Sequence, residues 1–483
     1  MTPPNILVIL TDQQRIDTVG AYGGPICRTP HLDRFAQTAA VFDQAYTVCA
    51  LCSPARATIY TGLYPHHHGM ERNEIEFRDD ARLISQDFRD AGYECGFVGK
   101  WHCGVEKLPR DFGFDGMSVP GYGNARKTPE YKAYLARAGL EPASVEPEGA
   151  GWSNNTVLMG KMGGPVEASV PYFLAEETIA MLRRYRDSGQ PFLIFLNFWG
   201  PHAPYLPSEP YASMYDPAAI PPWPNFGDTF AGKPVAQRRY RDAFYGEGNP
   251  VRSWEEWSTW VARYFGFVTQ IDAQIGRVVA ALDALELAES TAVLFSTDHG
   301  EHAGAHGGVH DKEMLMYQET YHIPFMLRLP GQAAPGRVAG PISNLDIAPT
   351  LLDLAGIAPA RPLDGLSLLP LLRGEPQPER DGEVLCMFNG HHVLYQSRMI
   401  TDGAIKYVFN PTDHDELYDL QTDPWELHNQ IDNPAYAGQL RALRARMEAR
   451  LAAVGDAQVH KYFRDLFAPR LPARPENFTP YRD

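Results

Sequence analysis

The sequence is poor in cysteine, in basic charge and in long apolar runs. Its six cysteines, Cys27, Cys49, Cys52, Cys95, Cys103 and Cys386, follow no disulfide-framework spacing. That points to a reducing compartment. No stretch reaches the about eighteen consecutive apolar residues that a membrane-spanning helix needs, so no membrane partner is expected. No signal peptide is expected either. The run Asn5-Ile6-Leu7-Val8-Ile9-Leu10 is short, has no basic flank and leads into Asp12, so the expectation is a cytoplasmic protein. With 43 Lys and Arg against 59 Asp and Glu, the formal net charge is −16. A nucleic-acid partner needs a basic face, and this balance argues against one. It leaves room for a small anionic substrate, because an acidic protein can hold a locally positive site.

What is present is an ordinary globular composition, 44% hydrophobic and 21% charged over 483 residues. Two to three domains would suit that length. Strands are expected at residues 5–10, 42–46, 93–99, 191–198, 291–296 and 324–329. Helices are expected at 30–40, 81–91, 172–188, 254–287, 346–355 and from about 434 to 453. Residues 104–170 and 206–250 are rich in Gly, Pro or aromatics, lack a clear period, and read as irregular insertions over the active face. The chain turns polar at residues 375–381, which divides it into a larger unit, 1–375, and a C-terminal α+β subdomain, 376–483. The tail from His460 to Asp483 reads equally as an interface arm of a homo-oligomer or as a disordered end. Strands alternating with helices predict a mostly parallel α/β sandwich, with its site along the C-terminal edge of the strands.

The chemistry gathers at five places. Cys52-Ser53-Pro54-Ala55-Arg56 stands at a loop-to-helix junction, where a thiol near an arginine suggests a reactive centre facing an anion. Asp12-Gln13, Lys100 with His102, His202, and Asp298-His299 each follow an apolar strand directly. One Asp in such a place is ordinarily a turn or a helix cap. Several strand ends carrying Asp, His and Lys converge if the strands are neighbours. Asp12, Asp298 and His299 suit a divalent cation: carboxylates favour calcium, magnesium or manganese, and an imidazole shifts the choice toward a transition metal. The plainer alternative is that Asp298 caps the next turn. Arg56, Lys100, His102, His202 and Lys312 offer positive charge and proton transfer around an anion, although each alone reads as a solvated surface residue. Two further patterns are weaker. Cys49-x-x-Cys52 lacks both a second cysteine pair and a thioredoxin-like context. His302, His306 and His310 have the spacing of a helix face, but the glycines among them argue against a helix.

Taken together, these residues resemble the type I, formylglycine-dependent sulfatases of the alkaline phosphatase superfamily. Cys52 to Arg56, followed by Thr61-Gly62, is similar to their signature, and Asn5 to Asp12 to their opening strand. Gly99-Lys100-Trp101-His102, Pro201-His202-Ala203-Pro204 and Thr297-Asp298-His299-Gly300-Glu301 resemble three internal blocks. Glu416-Leu417-Tyr418-Asp419-Leu420, with Asp423-Pro424 and Asn429, resembles the C-terminal block. The resemblance spans nearly the whole chain. It implies an alkaline-phosphatase-like α/β/α sandwich and a sulfuric ester hydrolase acting on a small sulfated substrate. It further implies that a formylglycine-generating enzyme converts Cys52 to formylglycine (3-oxoalanine). The hydrate of that aldehyde would attack sulfur, with one divalent metal ion, calcium or manganese, offsetting its charge. Asp12, Asp298, His299 and the modified Cys52 would hold the metal, with Gln13 a further candidate. Arg56 would hold the formylglycine, and Lys100, His102, His202 and Lys312 would surround the sulfate. Lys312 or His202 would protonate the leaving alcohol, and His102 would be the base that expels sulfate.

Two positions depart from the common pattern. Gln13 stands where many members have a second Asp, and His299 where many have Asn. Both substitutions resemble the phosphonate monoester hydrolases, whereas Lys100-Trp101-His102 resembles the sulfatases. The reading therefore favours a sulfatase. Phosphonate monoester or phosphodiester hydrolysis at the same site is the alternative, and a non-catalytic binding protein on this fold is the remote one. The Tyr and Trp content of the two insertions suggests stacking on a ring, in an aryl or a sugar sulfate.

Overall fold

Asn5–Asp12 (β1) is the strand around which the fold is arranged. Ile6 to Leu10 are at most 1% exposed. Both faces of β1 are covered, which is why it reads as a continuous apolar run and not as an alternation. The computed structural model describes residues 3–148, 158–245, 252–331, 336–375, 377 and 382–467. The remaining strands, in chain order, are Ala40–Tyr46 (β2), Glu94–Lys100 (β3), Asp115–Val119 (β4), Ser144–Pro147 (β5), Gly160–Gly163 (β6), Phe192–Pro201 (β7), Thr291–Thr297 (β8), Phe325–Arg328 (β9) and Arg337–Ser343 (β10). Four more follow: Val384–Phe388 (β11), Ser397–Thr401 (β12), Ile405–Phe409 (β13) and Glu416–Asp419 (β14).

Eight strands form the central sheet in the order β10-β2-β9-β8-β1-β7-β3-β4. Every pairing in it is parallel except those of β9, which runs against both its neighbours. Strands β11 to β14 form a separate antiparallel sheet, and β5 pairs with β6 as a small ribbon.

The side chains of β1 divide between two cores. Leu7 and Ile9 pack with Leu174 and Leu182 of the helix Val170–Ser188 and with Ile271 and Val278 of the helix Trp254–Ala284. Ile6, Val8 and Leu10 pack on the other face with Ala57 and Ile59 of the helix Cys52–Thr61 and with Leu351 of the helix Ile347–Ala355. Helices on both faces of a mostly parallel sheet make the expected α/β/α sandwich. The long helix Trp254–Ala284 starts at a capping box, where Ser253 N donates to Glu256 Oε2 at 2.8 Å and Glu256 N donates to Ser253 Oγ at 3.3 Å.

Several expectations need correcting. The helix expected over 30–40 stops at Ala36, because Ala39 and Ala40 are buried and Ala40 already belongs to β2. The segment 104–170 is not irregular throughout. It contributes edge strand β4, the helix Pro129–Ala138, and the β5–β6 ribbon. Pairing of β4 with β3 needs Gly116, whose φ is +120° and where a Cβ would lie 2.2 Å from the Phe97 carbonyl oxygen. Strand β10 and the helix Ala457–Phe467 are additional elements. Most of the polar turn after residue 375, the tail beyond residue 467, and residues 149–157 and 246–251 of the two insertions lie outside the described residues. The six cysteines are buried and free. Among the described residues no helix is long and apolar enough to cross a membrane.

Candidate active site

Strands β1, β3, β7 and β8 end along one edge, and the polar residues that follow them meet there. Thr11 of β1 pairs with Thr297 of β8, so Asp12 and Asp298 emerge side by side. Lys100 is the last residue of β3. It approaches closely because Gly99, at φ +113°, has no Cβ; one there would sit 1.9 Å from the Asn197 carbonyl oxygen of β7. His202 follows Pro201, the last residue of β7. Cys52 is the first residue of the helix Cys52–Thr61, which closes on Gly62 in the left-handed conformation and is buried along its whole length.

Cys52 Sγ lies 3.2 Å from His299 Nε2 and 3.7 Å from Asp12 Oδ1. Asp298 Oδ1 accepts from the backbone N–H groups of Gln13 at 3.0 Å and His299 at 2.9 Å. His299 Nδ1 lies 2.9 Å from the Gly300 carbonyl oxygen, which can only accept, so Nδ1 carries the proton and Nε2 keeps its lone pair. Ligand atoms of Asp12, Cys52, Asp298 and His299 all lie within 4.8 Å of one another. Two carboxylates, an imidazole lone pair oriented by a backbone carbonyl and one further donor fit a single divalent cation.

A set of cations surrounds this group. Arg56 Nε donates to Asp298 Oδ2 at 2.9 Å, its Nη2 lies 3.4 Å from Asp12 Oδ2, and Nη1 donates to the Lys100 carbonyl oxygen at 3.0 Å. Lys100 Nζ is bonded to Asp12 Oδ2 and lies 4.2 Å from the centre of the Tyr122 ring. Lys312 Nζ donates to Asp311 Oδ1 at 2.7 Å and to Gln13 Oε1 at 3.0 Å, and lies 3.3 Å from His202 Nε2. Gln13 also gives its amide N–H groups to Glu301 and, at 2.8 Å, to Asp311 Oδ1. His102, at φ +53°, presents Nε2 to Glu74 Oε1 at 3.1 Å, while its buried Nδ1 has no hydrogen-bond partner.

Burial and these neighbours set the protonation states. Burial opposes ionisation of Asp12, but Lys100 and Arg56 together hold it well below the usual carboxylate range. Burial, aided by Lys312, pushes His202 down to about 3, and burial with Lys100 pushes His102 lower still. Both rings are therefore neutral and able to accept a proton. The Cys52 thiol is pushed up to about 12 by burial and by Asp12. That shift disfavours the thiolate form of unmodified Cys52.

Every strand-end residue singled out in the sequence thus reaches the same edge. The residues that sequence reasoning passes over are those that hold the first set in place. Asn197 Oδ1 accepts from Tyr60 OH at 3.0 Å and from Arg56 Nη1 at 3.5 Å; a lone polar residue inside the apolar run of β7 is a signal for it. Glu74 and Tyr122 come from loops and carry no such signal. Glu301 and Asp311 anchor Gln13 and Lys312. The histidines 302, 306 and 310 do not form a ligand group together among the described residues. His306 instead meets Asp228 at 2.9 Å, and His310 meets Tyr205 at 3.1 Å.

Residues 4–357 match the family model described as Sulfatase, and residues 304–453 match one described as N-sulphoglucosamine sulphohydrolase, C-terminal. The chain is 28% identical to an ulvan-active sulfatase of Formosa agariphila, over 94% of this chain and 82% of the other. It is 30% identical to the multifunctional alkaline phosphatase superfamily protein PehA of Trinickia caryophylli, over 91% of this chain and 94% of that one. Among solved structures, the phosphonate monoester hydrolase of Agrobacterium radiobacter superposes with a TM-score of 0.78 at 25% identity, covering 94% of this chain and 95% of that one.

Proposed function

This chain belongs to the sulfatase family, and from that premise we propose that it hydrolyses a sulfate monoester at the strand edge where Cys52, Asp12, Asp298, His299 and Lys312 meet. The observation that carries the reading is one buried site combining a four-donor cluster with Arg56, Lys100 and Lys312. A sulfuryl group in transfer spreads negative charge over its oxygens, and fixed cations in a water-poor site stabilise it most.

Asp12, Asp298, His299 and the side chain at position 52 would hold the divalent ion, calcium or manganese. Gln13 Oε1 keeps a lone pair beyond the bond from Lys312 and is a further candidate. Conversion of Cys52 to formylglycine by a formylglycine-generating enzyme, together with the ion, would supply an activated oxygen nucleophile. The rest falls to the chain's own residues. Arg56 fixes the carboxylates of Asp12 and Asp298 against each other. Lys100 and Lys312 would bind sulfate oxygens. The Lys312–His202 pair would hold the proton that the leaving alcohol takes up. With Nε2–H directed at Glu74, His102 would use its unpartnered Nδ1 as the base in the return step.

A second reading, hydrolysis of phosphonate or phosphate esters, rests on Gln13 and His299 and on the likeness to PehA and to the Agrobacterium enzyme. The test compares kcat/KM for an aryl sulfate and an aryl phosphonate monoester, using protein whose Cys52 peptide is confirmed as formylglycine by mass spectrometry. We expect the sulfate to be preferred. A clear preference for the phosphonate overturns the first reading, and an unmodified thiol from a host with the maturation enzyme counts against catalysis.

A further inference from the structure

A cavity of about 430 Å³ adjoins the site and shares two residues with it, Tyr122 and His202. That volume lies within the roughly 300–1,000 Å³ typical of small-molecule sites. Its walls are mostly apolar, with Met162, Leu174, Phe198, Trp199, Leu206 and Phe267 among the residues that line it. From this geometry we infer that the cavity takes the alcohol part of the ester, and that this part is an apolar ring system, not a sugar. The inference rests on the sulfatase reading and specifies its substrate class.

Position and chemistry both support it. The ester oxygen that leaves must face the Lys312–His202 pair, where Nζ and Nε2 are 3.3 Å apart. His202 also lines the cavity, so a group bonded to that oxygen is directed past the imidazole into it. The Tyr122 ring lies over Lys100 and 5.1 Å from the His202 ring, forming an aromatic shoulder between the cation site and the cavity.

Few polar side chains line the walls, and part of their hydrogen-bonding capacity is already used. Arg126 donates to the Ala143 carbonyl oxygen. Asn124 Oδ1 accepts from Arg126 N at 3.0 Å. Ser169 Oγ accepts from Tyr172 N at 3.4 Å, capping its helix, and Trp199 Nε1 donates to the Tyr122 carbonyl oxygen at 2.7 Å. A sugar entering here would exchange water for walls that are mostly apolar, and would leave most of its hydroxyls unpaired. An apolar ring would bury itself with no such loss.

The test uses two sulfates with the same kind of leaving oxygen, cyclohexylmethyl sulfate and glucose 6-sulfate. Both are esters of a primary alcohol on a six-membered ring, so leaving-group reactivity is closely matched and the hydroxyls make the difference. We expect kcat/KM for cyclohexylmethyl sulfate to be higher by about tenfold or more. Leu206→Trp, at a half-buried wall position, is expected to cut the cyclohexylmethyl/methyl sulfate ratio of kcat/KM by about tenfold. Independently of turnover, cyclohexylmethanol should raise the Tm of the full chain, and should not raise it in L206W. A preference for glucose 6-sulfate, or an unchanged ratio in L206W, overturns the inference. Protein that hydrolyses no sulfate, yet is stabilised by cyclohexylmethanol only with Leu206 intact, overturns the sulfatase reading and leaves the cavity assignment standing.

Discussion

Arg56 Nε and Asp298 Oδ2 are 2.9 Å apart, and neither side chain has any exposed surface. The same guanidinium reaches Asp12 Oδ2 at 3.4 Å, so one cation ties together carboxylates at the ends of β1 and β8. Removing one member of a buried ion pair strands the other charge, at a cost of about 3–5 kcal/mol. Arg56→Met is therefore expected to lose about that much stability, measured by urea unfolding of metal-free protein. Arg56→Lys should recover only part of it, because an ammonium cannot span both carboxylates as the planar fork does. Wild-type stability in Arg56→Met would refute the bridging role.

Cys52→Ala should lower turnover by about a thousandfold or more, as loss of a nucleophile does. The hydrogen-bond partners of the Cys52 thiol among the described residues, Asp12 and His299, both belong to the site, so the fold should survive. Unchanged near-ultraviolet circular dichroism together with lost activity is the expected pair of results. Near-wild-type turnover would remove Cys52 from the nucleophile role.

His202→Ala should act unequally on different esters. If the Lys312–His202 pair protonates the leaving alcohol, an alkyl sulfate, whose alkoxide is strongly basic, should lose about a hundredfold in kcat. An aryl sulfate with an acidic phenol should lose much less. Equal losses on both would point to a binding or structural role instead.

His68 provides a pH-dependent contribution away from the metal-binding residues. Its Nδ1 accepts from the Met70 backbone N–H at 3.1 Å, and its Nε2 lies 3.2 Å from Thr58 Oγ1 on the Cys52 helix. The ring must therefore be neutral, and burial holds it down at about 3. Between the ordinary value of 6.5 and about 3, the unfolded chain binds a proton that the native state refuses. Stability must then fall as the pH drops through that window, by up to about 1.4 kcal/mol per pH unit for this group alone. His68→Asn, which keeps an acceptor for Met70, should flatten the Tm–pH profile between pH 6.5 and 5. An unaltered slope would show that His68 is not the source.

The site's main residues are legible in the sequence for a physical reason. A sheet covered on both faces writes its strands as mostly apolar runs, and the first ionisable residue after each run falls at the sheet edge. Asp12, Lys100, His202 and Asp298 are all found that way. Tyr122 and Glu74 are not, because loop geometry and not periodicity brings them over Lys100 and His102. Strand β4 is hidden because it lies at an edge, with Asp115 and Gly116 exposed and only Met117 buried. The reversal of β9 is equally silent: Phe325-Met326-Leu327-Arg328 has the same apolar character in either direction. The thiol's protonation is also beyond the sequence, since it depends on how completely the helix Cys52–Thr61 is enclosed.

The pairing of β1 bears on how the chain is made. Leu7 sits between Ile194 of β7 and Val293 of β8, so β1 leaves the ribosome long before either of its partners. Until those segments are synthesised, the run from Ile6 to Leu10 has no edge to join, and so distant a closure is slow. An unpaired apolar strand of this kind is a nucleus for misassociation. A chain that terminates before Thr291 keeps one side of β1 permanently open. Truncations of that kind should therefore accumulate as aggregate, without partial activity, and the newly made full-length chain depends on being kept apart from its copies until β8 arrives.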